Sequence, residues 1–228
     1  MLIILKFAFG ACIGSFIYCV AEQLLTKQLN VRRRSCCAQC QQILQWYDLV
    51  PICSAILLHC RCRYCQHPFS PLHLWAEILI GFVWATCSPT WAIITTLLLA
   101  MSYCDLKAYW VPDTFQLLLL ITCLYDTIVV HANVMALWYA GSIFTLLFIV
   151  YQVYAQYIGG GDIKLMATLS LVIPFTQLPL FLMSAGICGL LHFAFLSFKN
   201  REQPQAIPFI PSLALSVGIV QFFQLMLP

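Results

Sequence analysis

Apolar runs, all but one of them long enough to cross a bilayer, follow one another along almost the whole chain, and this recurrence constrains the fold more than any single motif. The runs fall at 2–24, 72–88, 90–107, 112–131, 134–157, 162–175, 177–197 and 209–227, separated by charges or Pro/Gly punctuation. A crossing helix needs about 17–25 residues. A bilayer offers the backbone no water to bond, so each run is expected to be helical. Composition agrees: 62% of the 228 residues are hydrophobic, 8% are charged and the mean hydropathy is +0.90, whereas soluble domains are about one quarter charged. The expected fold is an all-α polytopic membrane bundle of about seven or eight transmembrane helices. Its divisions are a first helix at 1–25, a cysteine-rich loop domain at 26–71 and a transmembrane domain at 72–228. Such recurrence rules out a lone signal peptide or anchor. The net charge of +3 is too small to imply nucleic acid.

Charge placement sets an orientation. Lys27, Arg32, Arg33, Arg34, Arg61 and Arg63 fall in one segment, which the positive-inside rule makes cytoplasmic. Alternation of the runs then brings the junctions at 105–113 and 158–164 to the same cytoplasmic face, and returns Lys199 and Arg201 there as well.

Inside the basic segment, Cys37-Ala-Gln-Cys40 and Cys62-Arg-Tyr-Cys65 form two C-x-x-C pairs. Four thiolates at this spacing, in a reducing compartment, favour a tetrahedral structural Zn²⁺ over disulfides. Reduced, unliganded thiols are the plain alternative, and Cys36 and Cys60 are near enough to compete as ligands. Cys12, Cys19, Cys53, Cys87, Cys104, Cys123 and Cys188 stand in apolar surroundings and are expected to be packing residues.

Two junctions carry aspartates. Asp105 ends an apolar run, where the helix dipole disfavours an anion, so it needs a partner, a proton or a function. Asp113 follows Pro112 at a helix start, where capping explains it as well as function does. The second junction reads Gly159-Gly160-Gly161-Asp162-Ile163-Lys164. It lacks a phosphate-loop pattern; glycines there clear room for a peptide beside the Asp162 carboxyl. Lys164 reads as a snorkelling anchor or, less simply, as a partner for the aspartates. Two carboxyls on one membrane face fit the aspartyl protease scheme, in which neighbours share one proton. Helix capping alone is the bland alternative.

Together these stretches resemble the type IV prepilin peptidases, intramembrane aspartyl proteases with a GxGD motif. Gly14-Ser15-Phe16 resembles the family's GSF; S-C-C-A-Q-C, W-Y-D-L-V-P at 46–51 and C-R-Y-C at 62–65 resemble its zinc-binding cytoplasmic domain. D-L-K-A-Y-W-V-P-D at 105–113 and G-G-G-D-I-K-L at 159–165 resemble its two aspartate motifs, and I-P-F-I-P at 207–211 its C-terminal IPFGP. The resemblance implies catalysis by Asp105 and Asp162, with Asp113, Gly159, Gly160, Gly161 and Lys164 as accessory or substrate-binding residues, and zinc on Cys37, Cys40, Cys62 and Cys65. It makes 72–228 the peptidase domain.

The implied substrate is a prepilin or pseudopilin with a short basic leader, cut before its apolar helix at the cytoplasmic face of the bacterial plasma membrane. Many members also methylate the new N-terminus with S-adenosylmethionine. Here Tyr18 stands where asparagine is usual, Gln23 where arginine is, and Ile210 where glycine is. These departures, with the short length, look more like the competence-type processing enzymes, and S-adenosylmethionine is implied only if methyl transfer is retained. Two rivals use the same residues: a proton- or metal-coupled transporter built on the carboxyls, and a scaffold acting through the cysteine loop alone.

Overall fold

A computed structural model of the chain describes residues 1–26, 35–37, 39–154, 159–200 and 207–226. Lys27, Arg32, Arg33, Arg34 and Arg201, on which the orientation leans, lie outside them, as do Ala38, residues 156–158 and the side chain of Lys199. Every apolar run contains a helix within the described residues. In chain order the helices are α1 (Leu2–Leu25), α2 (Cys53–Leu57), α3 (Leu72–Thr86), α4 (Pro89–Ala108), α5 (Asp113–Tyr125), α6 (Met135–Tyr154), α7 (Gly160–Leu169), α8 (Leu178–Asn200) and α9 (Ile210–Met226). A π turn, Asp126–Val130, prolongs α5. The expected all-α membrane fold is present.

Fewer helices than expected are of full membrane length. Among the described residues, five are long and apolar enough to cross: Leu2–Leu25, Pro89–Ala108, Asp113–Val130, Met135–Tyr154 and Phe175–Phe198. Leu72–Thr86 and Ile210–Gln224 are apolar but shorter. The run expected at 162–175 forms only the ten residues of α7, about 15 Å of helix against a core about 30 Å thick. Past Leu169 the chain continues in turns, and Pro174 disfavours helical geometry in the residue before it.

The chain divides into two compact units, Met1–Ala92 and Ile93–Pro228. In the first, α1 packs along α3 through small residues. Gly10 and Gly14, four apart, let the backbones approach as small-residue pairs do in membranes. A Cβ at Gly10 would lie 2.5 Å from the Trp84 Cβ, and one at Gly14 would lie 3.1 Å from that of Ile80. The polar lobe is tied to α3 by Glu77, a buried carboxylate that accepts the Ile52 N–H at 2.7 Å. Ile52 has φ 64, a left-handed conformation costly for a β-branched residue, and the Glu77 bond helps to hold it.

In the second unit, α5 and α7 are locked side by side. The Gln116 side-chain amide donates to the Gly161 carbonyl at 2.9 Å, and the Thr127 hydroxyl donates to the Leu171 carbonyl at 3.1 Å. The second bond satisfies a carbonyl left over where α7 ends. The π turn carries Asp126, which is buried with one oxygen 3.5 Å from His131 Nε2 and the other unpartnered. Of the cysteines expected to pack, Cys104 and Cys123 are buried. Cys12 and Cys53 are exposed, correcting the expectation for those two: being apolar in sequence does not place a side chain inward.

Overpacking the α1–α3 contact is expected to cost about 1–3 kcal/mol. Gly10→Leu should therefore lower the Tm of the detergent-solubilised protein by roughly 2–12 °C. Gly141→Ala, where an added Cβ meets nothing within 4 Å, should leave it unchanged or higher.

Candidate active site

Asp105 sits in the last turn of α4, 7% exposed. The partner that a carboxylate needs at that end is the start of another helix. Asp105 Oδ2 accepts the Ile210 N–H at 3.1 Å; Ile210 is the first residue of α9, whose amide has no intrahelical acceptor. The positive end of α9 thus answers the negative end of α4. Ile210 replaces the expected glycine without consequence for this contact, because the donor is the backbone.

Asp162 lies in the first turn of α7, outside the candidate spans, and is half-buried. Burial first, and the Asp105 charge second, raise its carboxyl from the ordinary range to about 6. That second cause places the two carboxyls in one electrostatic neighbourhood.

The three glycines divide their work by what a side chain would hit. A Cβ at Gly159 would lie 3.1 Å from Asp162 Oδ2, and one at Gly161 would lie 3.3 Å from Val111 Cγ2. At Gly160 only the Tyr151 hydroxyl end comes near, at 3.8 Å. None of them has positive φ, so close approach, not conformational freedom, is their use. Asp113 is at the first position of α5, 87% exposed, with Oδ1 3.6 Å from Lys164 Nζ. Lys164 therefore stands within ion-pair distance of an aspartate, an exposed contact that is compatible with the anchor reading.

Gln116 was not singled out by the sequence; a glutamine one turn into an apolar run is its only signal.

The metal-capable cluster is in the first unit. The Sγ atoms of Cys37, Cys40, Cys62 and Cys65 all lie within 4.8 Å of one another, with Cys37 and Cys65 at 3.8 Å. A tetrahedral tetrathiolate ion with bonds of about 2.3 Å has its sulfurs about 3.8 Å apart, so these four can hold one. Cys36 instead faces the Gln41 side chain at 3.8 Å, and neither it nor Cys60 belongs to the cluster.

The two halves of the cluster repeat one design. Gln41 and Gln66, each following the second cysteine of its pair, have φ 55 and 58 and donate their N–H to the Cys37 and Cys62 carbonyls. The Cys40 N–H holds the Cys37 thiol down at about 7. For Cys65 the His67 N–H acts downward, but burial and the neighbouring thiols outweigh it and push the group to about 11. Asp48 accepts from Arg63 Nε at 2.7 Å, joining the W-Y-D-L-V-P and C-R-Y-C stretches.

Two family models match in succession: the Bacterial Peptidase A24 N-terminal domain over residues 8–91, and the Type IV leader peptidase family over residues 92–194. The chain belongs to the type IV leader peptidase family. Several curated relatives carry the name prepilin leader peptidase/N-methyltransferase. The one from Aeromonas hydrophila is 29% identical over 205 residues, 80% of this chain and 69% of that protein. That from Bacillus subtilis is 25% identical over 223 residues, 91% and 89%. The Myxococcus xanthus relative is 30% identical over 115 residues, 46% of this chain and only 34% of its own length. No solved structure matches the chain. The transporter reading gains no support from these relatives.

The raised Asp162 carboxyl has a stability consequence. It is ionised in the unfolded chain above about pH 4 but holds its proton in the folded protein up to about 6. Stability is therefore lost as pH rises between those values and stays lost above them. Asp162→Asn should stabilise the folded protein at pH 7.5 by on the order of 2–3 kcal/mol, a Tm rise of roughly 4–12 °C, and the gain should vanish near pH 4. Equal Tm for the two proteins at both pH values would contradict the burial.

Proposed function

We propose that this chain is an aspartic endopeptidase that removes leader peptides from prepilins or pseudopilins, with Asp105 and Asp162 as the catalytic pair. The observation that carries the reading is the half-buried Asp162, raised by its surroundings and by the Asp105 charge, inside the segment that matches the leader peptidase family. One carboxylate of the pair takes a proton from water as the water oxygen bonds to the scissile carbonyl carbon. The protonated partner hydrogen-bonds the carbonyl oxygen. Collapse of the tetrahedral intermediate breaks the C–N bond, and the proton passes to the departing amine. The pair titrates jointly, so the two apparent values belong to both carboxyls.

Three features surround that chemistry. Gly159 leaves the face of Asp162 open for a peptide. The Asp113–Lys164 pair, exposed at the adjoining ends of α5 and α7, serves as an accessory substrate contact. The cysteine cluster holds one structural Zn²⁺, which shapes a lobe too polar to hold itself by a core. The site faces the cytoplasm of a bacterial plasma membrane, an orientation resting on the basic residues of 27–63. Methyl transfer, which the names of the relatives include, is a second reading that would use S-adenosylmethionine.

Incubation of the purified enzyme with a pseudopilin, followed by mass, tests the proposal. Wild type should remove the leader, while Asp105→Asn and Asp162→Asn should each lose activity by about 10³-fold or more. Processing at the wild-type rate by either variant would end the dyad assignment. A methyl on the product in the presence of S-adenosylmethionine would establish the second activity. Elemental analysis should find about one Zn per chain, lost in Cys62→Ser and retained in Cys36→Ser and Cys60→Ser.

A further inference from the structure

Beside the aspartate junction, α5, α6 and α7 enclose an open groove of about 640 Å³. Its lining follows helix faces. On α5 it uses positions 113, 116, 117, 120 and 124, and on α7 and the turn beyond it positions 164, 167, 168 and 171, the spacing of one side of each helix. From position 113 to 124 it runs about 16 Å, about three helical turns.

Charge is confined to one end, and the Thr168 hydroxyl, one turn deeper, is spent on the Lys164 carbonyl. Asp113, Gln116 and Lys164 form the mouth, and Gln116 there bonds the Gly161 carbonyl, the residue before Asp162. Deeper in, Leu120, Leu124, Phe144 and Leu171 supply apolar walls, with no charged group below the mouth. Ala140 and Gly141 supply a low side on α6, and at Gly141 an added Cβ would meet nothing within 4 Å.

These features select an occupant. In a bilayer an apolar surface gains little by leaving lipid, so association depends on close backbone approach and on polar contacts. A straight slot framed by three helix faces, low along α6, fits a helix with apolar side chains at i, i+3, i+4 and i+7. Its polar mouth opens beside the turn that carries Asp162. We propose that the groove receives the first turns of the substrate's apolar helix, the segment that follows the cut bond, and so delivers that bond to the aspartates. This inference rests on the peptidase reading above. It makes the groove a specificity-determining surface: the substrate helix is held by α5, α6 and α7 while the leader is released.

A photo-crosslinking side chain at position 120, in the Asp162→Asn background and in membranes containing a co-expressed pseudopilin, tests it directly. The expected product is a crosslink mapped to the apolar helix of the pseudopilin. Crosslinks only to lipid, or only to a second copy of this chain, would overturn the inference. Gly141→Phe supplies an independent readout, since it adds a ring at a groove-lining position where a Cβ meets nothing within 4 Å. It should raise KM for the full-length pseudopilin by about tenfold with kcat little changed, while Gly186→Ala, equally open at its Cβ but outside the groove lining, behaves as wild type. Unchanged KM in Gly141→Phe would also overturn the inference. Failure of the wild type to cleave any pseudopilin would instead strike at the peptidase reading, which separates the two.

Discussion

A carboxylate at the C-terminal end of a helix faces the wrong end of the dipole, and the unit 93–228 is arranged around the answer to that problem. Asp105 is held by the first amide of α9, so two helix ends of opposite sign meet over one charge. Asp162 feels the Asp105 charge, and α7, which carries Asp162, is pinned to α5 at two heights by Gln116 and Thr127. A short helix that cannot span the bilayer alone is thus held at a fixed depth by its neighbour.

The reactive arrangement is unfavourable for the folded chain in the usual sense that function and stability compete. Asp162 is a half-buried acid pushed upward first by desolvation and then by the nearby Asp105. The glycines matter in the same economy of space. Gly159 keeps the carboxyl uncovered and Gly161 lets α7 reach Val111, so each is fixed by a different neighbour although they look interchangeable in the sequence.

Much of this was legible in the residues, for reasons that differ from place to place. The apolar runs announced helices because a membrane leaves the backbone no other local solution. Asp105 announced a need for a partner, but the partner is a backbone amide 105 residues away, and no side-chain pattern encodes an amide. The cysteine register was open between Cys36 and Cys37 until geometry turned Cys36 toward Gln41. Asp126 sits in an apolar run that reads as uninterrupted helix, and only the π turn shows that it is buried there. The shortness of α7 was hidden because an apolar run continues through Ser170 while the backbone turns. Gly10 and Gly14 stood four apart in plain view, yet the reason for them is the bulk of Trp84 and Ile80 on another helix.

Gln41 and Gln66 carry a final implication. Both hold a left-handed backbone that a glycine would adopt freely and a glutamine adopts at a cost on the order of 1–2 kcal/mol. Neither is buried, so no core compels them. Each one instead closes a turn that brings two of the four clustered sulfurs together. With the proposed Zn²⁺ on those sulfurs, the lobe's integrity would follow the redox state and metal supply of the surrounding compartment more closely than the bilayer that stabilises the helices.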